Sequence, residues 1–178
     1  MHDDFEPNAA GLLVPAKHKL GGTFHAELIR AGQTVDEWDF DNITVNQGLD
    51  STLNVVFNAA SQITTWYIGL FQGNYTPVAA DTAATIATNS SEFTAYSGGV
   101  RPTFVTVTST AQLITNTASK ATFTFTSGGT LYGAFLVSSS TLNGTGGTLM
   151  SAARFASSRV VYTADQLLLT YAFSAASS

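Results

Sequence analysis

Residues 38–50 read WDFDNITVNQGLD and bring Asp39, Asp41 and Asp50 close together, with Asn42 and Asn46 between them. Carboxylates and carboxamides are hard oxygen donors, so the first chemistry to consider is a Ca²⁺ or Mg²⁺ site. Such a site needs several oxygens converging on one point. Asp39 and Asp41 alternate with Trp38 and Phe40, which puts both acids on one face of a strand. Asp50 lies past a change to helical periodicity, so the spacing permits convergence without forcing it. An acidic strand face followed by a helix start is the stronger reading. A glycosidase would need two facing carboxyls; Glu27, Glu37 and Glu92 could supply them, but no pattern singles them out. His2, His18 and His25 all fall in the first 25 residues, away from any G-x-S-x-G elbow or H-E-x-x-H zinc pattern. The phosphate-binding glycine motifs and cysteine are missing as well. The sequence thus predicts a non-enzymatic protein without a metal, cofactor or small-molecule substrate.

The elements that carry these residues read as β-structure. GTFHAELIR and TVDEWDF flank the turn AGQ, a hairpin over 22–41. Phe24, Ala26 and Leu28 share one face, as do Trp38 and Phe40, while Glu37, Asp39 and Asp41 point the other way. Within QGLDSTLNVVFNA, Leu49, Leu53, Val56 and Phe57 form one apolar stripe at helical spacing. That predicts a short amphipathic helix packed by the stripe, with Asn46 as N-cap and Asp50 in the first turn.

TTWYIGLF (64–71) is a strand. A long polar segment over 73–100 follows, with a short helical turn possible after Asp81. Further strands are expected at PTFVTVT (102–108), SKATFTFTS (119–127), TLYGAFLVSS (130–139), GTLMSAARF (147–155), SRVVY (158–162) and QLLLTYAFS (166–174). SGGT at 127–130 reads as a tight hairpin turn, and LNGTGG at 142–147 as a loop. Many short strands with Gly-rich turns and one helix predict a mainly β fold, a β-sandwich of jelly-roll-like topology over residues 21–178. Residues 1–20 lack periodicity and read as an extended N-terminal arm, with Pro7 and Pro15 bracketing Leu12-Leu13-Val14.

Charged residues make up only 11% of the 178-residue chain, so little charge keeps copies apart. Net charge is −5, and the N-terminal half carries the excess acid. No basic cluster could follow a phosphate backbone, which argues against nucleic acid. No apolar run is long enough for a membrane span, and the acidic start MHDDFEPN is unlike a secretory signal. The sequons at Asn42, Asn74, Asn89 and Asn143 are expected in a chain this rich in Ser and Thr. For Trp38 and Trp66 core packing outweighs sugar stacking. Tyr75 and Tyr96, in the long segment, are candidate partner contacts, together with Phe5, Leu12, Leu13 and Val14 of the arm.

Three stretches together resemble a known class: DNITVNQGL before the helix, WYIGLFQGNYTPVAADTAA, and the run YGAFLVSS…GGTLMSAARF…VVYTADQLLLTYAFS. They are similar to structural proteins of tailed-bacteriophage virions, over about residues 35–85 and 119–175. The resemblance implies a virion component, foremost a capsid cement or decoration protein. It would be made in the host cytoplasm and sit on the capsid surface. Its partners would be the major capsid protein and copies of itself, as a dimer or trimer. The alternative is a tail, baseplate or receptor-binding protein with glycan affinity through loop aromatics. The resemblance transfers no functional residues.

Overall fold

Two antiparallel sheets packed face to face make the chain a mainly β sandwich, seen in a computed structural model that describes residues 5–7, 13–15 and 19–176. The first long hairpin joins β3 (Lys19–Arg30) to β4 (Gln33–Asp41). Ala31 and Gly32 turn the chain with φ of 49° and 79°, the left-handed pair that matches strand twist. Val35 is an extra residue in the ladder, since Leu28 pairs with Asp36 and Ile29 with Thr34. As the alternation predicts, Phe24, Ala26, Leu28 and Phe40 are buried, while Glu37, Asp39 and Asp41 face water.

On the other side of β3 lies β12 (Gln166–Ala176), paired along its whole length from Gln166–Ile29 to Ala176–Lys19. Two short strands share its far edge: β9 (Ala121–Thr124) beside Gln166–Leu169, and β8 (Leu113–Thr115) beside Ala172–Ser174. The second sheet runs β5 (Ile43–Thr44), β11 (Leu149–Val161), β10 (Gly129–Val137), β6 (Tyr67–Phe71), β7 (Glu92–Phe93). Near the N-terminus, within the segment expected as an extended arm, β1 (Phe5–Pro7) pairs antiparallel with β2 (Leu13–Pro15).

The strand order bears out the two-sheet sandwich and does not confirm a jelly roll. Consecutive β3 and β4 are neighbours in one sheet, and consecutive β10 and β11 are neighbours in the other. SGGT is not a hairpin turn either; it carries the chain from β9 in the first sheet to β10 in the second. GTLMSAARF and SRVVY merge into the single strand β11. PTFVTVT forms no strand. It touches β6 through one bridge, Tyr67–Thr103, and Phe104 alone of its apolar residues is buried. Among the described residues there are two helices, α1 (Asn46–Phe57) and α2 (Ala83–Asn89), the second starting just after Asp81. Thr82 and Thr85 cap α2 reciprocally, and Ala83, Ile86 and Ala87 are buried.

Between the sheets runs an aromatic column. Phe24 stacks on Tyr171 with ring centroids 4.1 Å apart and on Phe40 at 5.1 Å, and Phe155 meets Phe40 edge-on at 4.6 Å. The buried Tyr171 hydroxyl accepts from Asn42 Nδ2 at 2.8 Å and lies 3.0 Å from Ser151 Oγ, which ties the sheets together. A second fixed point is ionic. Arg101 Nε and Nη2 donate to the two Glu92 oxygens at 2.7 and 2.8 Å, with both side chains buried. Arg101 Nη1 also donates to the Ser139 carbonyl at 2.8 Å, and the Asn143 N–H donates to Glu92 Oε2 at 2.6 Å. The LNGTGG loop is thereby fastened to β7 and to the segment after Gly99, and the desolvated charges are saturated with partners.

Candidate interaction surface

Helix α1 begins without a side-chain cap; Val45, not Asn46, is the N-cap residue, and Asp50 lies beyond the first turn. Neighbouring backbone and one glutamine fix it instead. The Val45 N–H donates to Met150 O at 3.1 Å and the Asn46 N–H to Ala79 O at 2.9 Å. Gln47 Oε1 accepts from the N–H groups of Ala83 at 2.9 Å and Leu149 at 2.8 Å, joining α1, α2 and the start of β11. Gly48 is the only buried residue of the helix. A Cβ there would lie 2.5 Å from Met150 O, so this contact between helix and strand admits glycine alone.

That close approach decides which way the helix faces. Gly48, Ser51, Thr52 and Val55 turn toward the body as buried or half-buried positions. The expected core stripe faces away: Leu53 is 55% exposed, Val56 62% and Phe57 81%. Leu49 alone of the four is half-buried. The periodicity locates the helix correctly, but the stripe is a surface ridge and not a core face. The sequence did carry a sign of this in the small face Gly48, Ser51, Thr52, which suits near contact of backbones.

Beside the ridge lies an apolar cleft. Under α1 it is walled by Val55, Val56, Ile63, Trp66 and Met150, enclosing about 170 Å³. Across the same Ile63, Trp66 and Met150 it continues toward Phe104, Ile114 and Phe173, where it encloses about 210 Å³. Its lining carries no charged side chain. Val105, Val107 and Leu113, next in chain to lining residues, are exposed large apolar side chains as well. From Asn46 to Trp66 the chain has one charged residue, Asp50.

The remaining sequence-predicted contacts fall elsewhere. Tyr96 is buried in the core, edge-on to Phe123 with ring centroids 4.9 Å apart, so it is not a surface contact. Burial pushes its phenol well above the ordinary tyrosine range, and Glu92 adds to the shift. The segment expected as an outer loop is instead folded into the body by α2 and β7, which draws Tyr96 inward. Tyr75 is half-buried and donates to Asp81 Oδ1 at 2.8 Å, which makes it a strut for the turn before α2. Burial first, then the bond to Asp81, raises its pKa. Phe5, Leu13 and Val14 fall in β1 and β2, and Leu12 lies outside the described residues.

The acids that raised the metal question stay apart in role. Asp39 Oδ1 lies 2.8 Å from His25 Nδ1, and Asp41 accepts from Thr23 Oγ1 at 2.9 Å. Glu37 and Glu27 reach the other ring nitrogen of His25 at 3.3 and 3.5 Å. This is a cross-strand polar cluster on the outer face of the first sheet. Among the described residues no three metal-binding side chains are grouped to hold an ion. No described helix is long and apolar enough to cross a membrane. In comparisons with known proteins, no family matches the chain and no curated protein does.

Proposed function

We propose that the chain is a non-enzymatic assembly subunit, a structural protein of a bacteriophage virion, and most specifically a cement or decoration protein of the outer shell. The observation that carries the reading is the outward apolar ridge of α1 beside an uncharged cleft. Large apolar side chains on a rigid helix, held out of the core by a glycine contact, gain free energy only when something covers them. A catalytic pocket would need convergent polar groups, whereas this cleft is lined mostly by apolar side chains, with Ser51, Thr52, Gln62, Thr64 and Thr106 its polar lining and no carboxylate among its lining residues. The phage-protein resemblance of three sequence stretches supplies the setting.

A cement protein acts by mass action. It binds the assembled shell and not the free coat subunit, so each occupied site adds RT ln(1 + [L]/Kd). That is about 2.7 kcal/mol when free protein exceeds Kd by roughly a hundredfold. A rigid, preorganised ridge keeps the ordering cost of each contact low.

The test is the copy number of this chain in purified particles, by quantitative mass spectrometry against the major shell protein. A simple ratio to the shell protein is expected. A low count, on the scale of tail or portal parts, would move the protein to the tail, and complete absence would overturn the reading. Tyr75 and Tyr96, the aromatics behind the glycan-binding alternative, are a strut and a core residue, so no observation favours that alternative.

A further inference from the structure

We propose that Asn143 is a site of spontaneous covalent modification: its carboxamide converts to a carboxylate through the main chain of Gly144, and the conversion loosens the buried Arg101–Glu92 pair. The proposal goes beyond the assembly reading and does not rest on it.

The chemistry needs only water. The Gly144 main-chain nitrogen gives its proton to solvent and attacks Asn143 Cγ. A C–N bond forms and the Cγ–Nδ2 bond breaks; the side-chain nitrogen takes up a proton and leaves as ammonia. Water then opens the cyclic imide. Attack at Cγ gives aspartate. Attack at the Asn143 main-chain carbonyl gives isoaspartate, whose chain runs through Cβ and Cγ and is longer by one carbon. Nothing is oxidised or reduced.

Asparagine is thermolabile as a class, and a Cβ on the following residue hinders the attack. Of the chain's asparagines only Asn143 is followed by glycine. It is exposed. The Asn42 carboxamide, in contrast, is held at both ends, accepting from the Gly22 N–H and donating to the Tyr171 hydroxyl. That of Asn116 is held by the Tyr171 N–H and the Leu169 carbonyl. The bond that fixes Asn143 runs from its main-chain N–H instead. Asn143 sits in the left-handed region with φ of 55°, a conformation asparagine tolerates, and the Gly144 N–H donates to Thr141 O at 3.1 Å. Opening of that one surface turn frees the nitrogen to attack.

The effect on the ion pair follows from what the loop is fastened to. The Asn143 N–H donates to Glu92 Oε2 at 2.6 Å, and Gly144 O accepts from Arg101 Nη2 at 3.4 Å. The linkage that changes lies between these two pins. Isoaspartate adds a carbon there, so both bonds cannot keep their geometry. Either product puts a negative charge on the residue that donates to Glu92, and like charges repel. Glu92 and Arg101 are 4% and 1% exposed, so losing a partner is costly to the buried pair.

The test is to age the full chain at mildly alkaline pH and map its peptides by mass spectrometry, with an isoaspartyl methyltransferase to label isoaspartate. Asn143 should convert before any other asparagine. Asn143→Gln, which keeps the main-chain N–H, should abolish the label at this loop. The converted chain, separated by anion exchange, should melt lower than the unaged chain by roughly 2–4 °C. In hydrogen exchange its residue 143 N–H should lose protection while β12 keeps its own. Asn143 left intact after a synthetic peptide of residues 139–147 has converted overturns the proposal, as does earlier conversion of another asparagine. A converted chain that melts with the unaged one, or keeps its residue 143 N–H protected, overturns the link to the ion pair. Particle copy number is independent of these results.

Discussion

The aromatic column and the α1 ridge are built from the same kinds of residue and meet opposite fates. Phe24, Phe40, Phe155 and Tyr171 lie between the sheets with little or no exposure. Leu53, Val56 and Phe57 stand in solvent on a helix whose buried side is glycine, serine, threonine and valine. The difference teaches that apolar content and apolar periodicity do not by themselves locate a core. What locates it is which side of an element can approach its neighbour, and for α1 the Gly48–Met150 contact settles that. One region stores the stability of the fold; the other leaves large apolar side chains in solvent.

That contrast can be broken by mutation. The largest losses belong to the interior. Phe24→Ala should cost about 3–5 kcal/mol in denaturant unfolding, from lost transfer energy plus the cavity. Glu92→Ala should cost a similar ~3–5 kcal/mol, because it strands the Arg101 charge in a buried site. Next in size is Gly48→Ala, which must push α1 away from Met150 at about 1–3 kcal/mol. It should also displace the ridge.

Smaller effects follow from titration. Hydrogen bonds from Arg30 at 2.9 and 2.7 Å hold the Asp165 carboxyl below its ordinary pKa, with the Tyr162 N–H helping. A depressed folded pKa contributes stability above the unfolded value, near 3.9, that is lost as pH falls through the folded one. Asp165→Asn should therefore lower the melting midpoint at neutral pH and converge with wild type in strong acid. At the alkaline end the sign reverses. Burial raises the Tyr171 phenol above its unfolded pKa near 10, so its contribution is full below that pH and fades as pH rises further. Thermal melts from pH 9 upward should show wild type losing stability faster than Tyr171→Phe. The smallest effect sharpens the comparison most. Phe57→Ser should change stability by no more than about 0.5 kcal/mol, as for any exposed site. A large loss of stability would mean that the ridge belongs to the fold after all.

How much of this was legible depends on whether a residue's partner is near in sequence. The β3–β4 hairpin could be read because alternation and turn chemistry act over a few residues, and its inward and outward faces came out as expected. The stripe of α1 was legible, but its direction was not, since periodicity fixes an angle about the helix axis and not the side on which the core lies. PTFVTVT alternates well and Phe104 does turn inward. Yet a strand also needs a partner, and beyond Thr103 none pairs with it. SGGT has hairpin chemistry, but its flanking strands find better neighbours in different sheets. Tyr96 was missed because polarity marks a segment as surface only when no long-range pairing draws it in, and β7 pairs with β6 just before it.

The Arg101–Glu92 clamp bears on how the chain folds and unfolds in time. It joins residues near 92, 101, 139 and 143, so it can close only after β6, β7 and β10 have come together. Before that, its charges are better left in water. An interaction made after the rate-limiting step leaves the folding rate alone and slows unfolding. If the clamp closes after that step, Glu92→Ala should speed unfolding while leaving the folding rate unchanged, which stopped-flow chevrons would read.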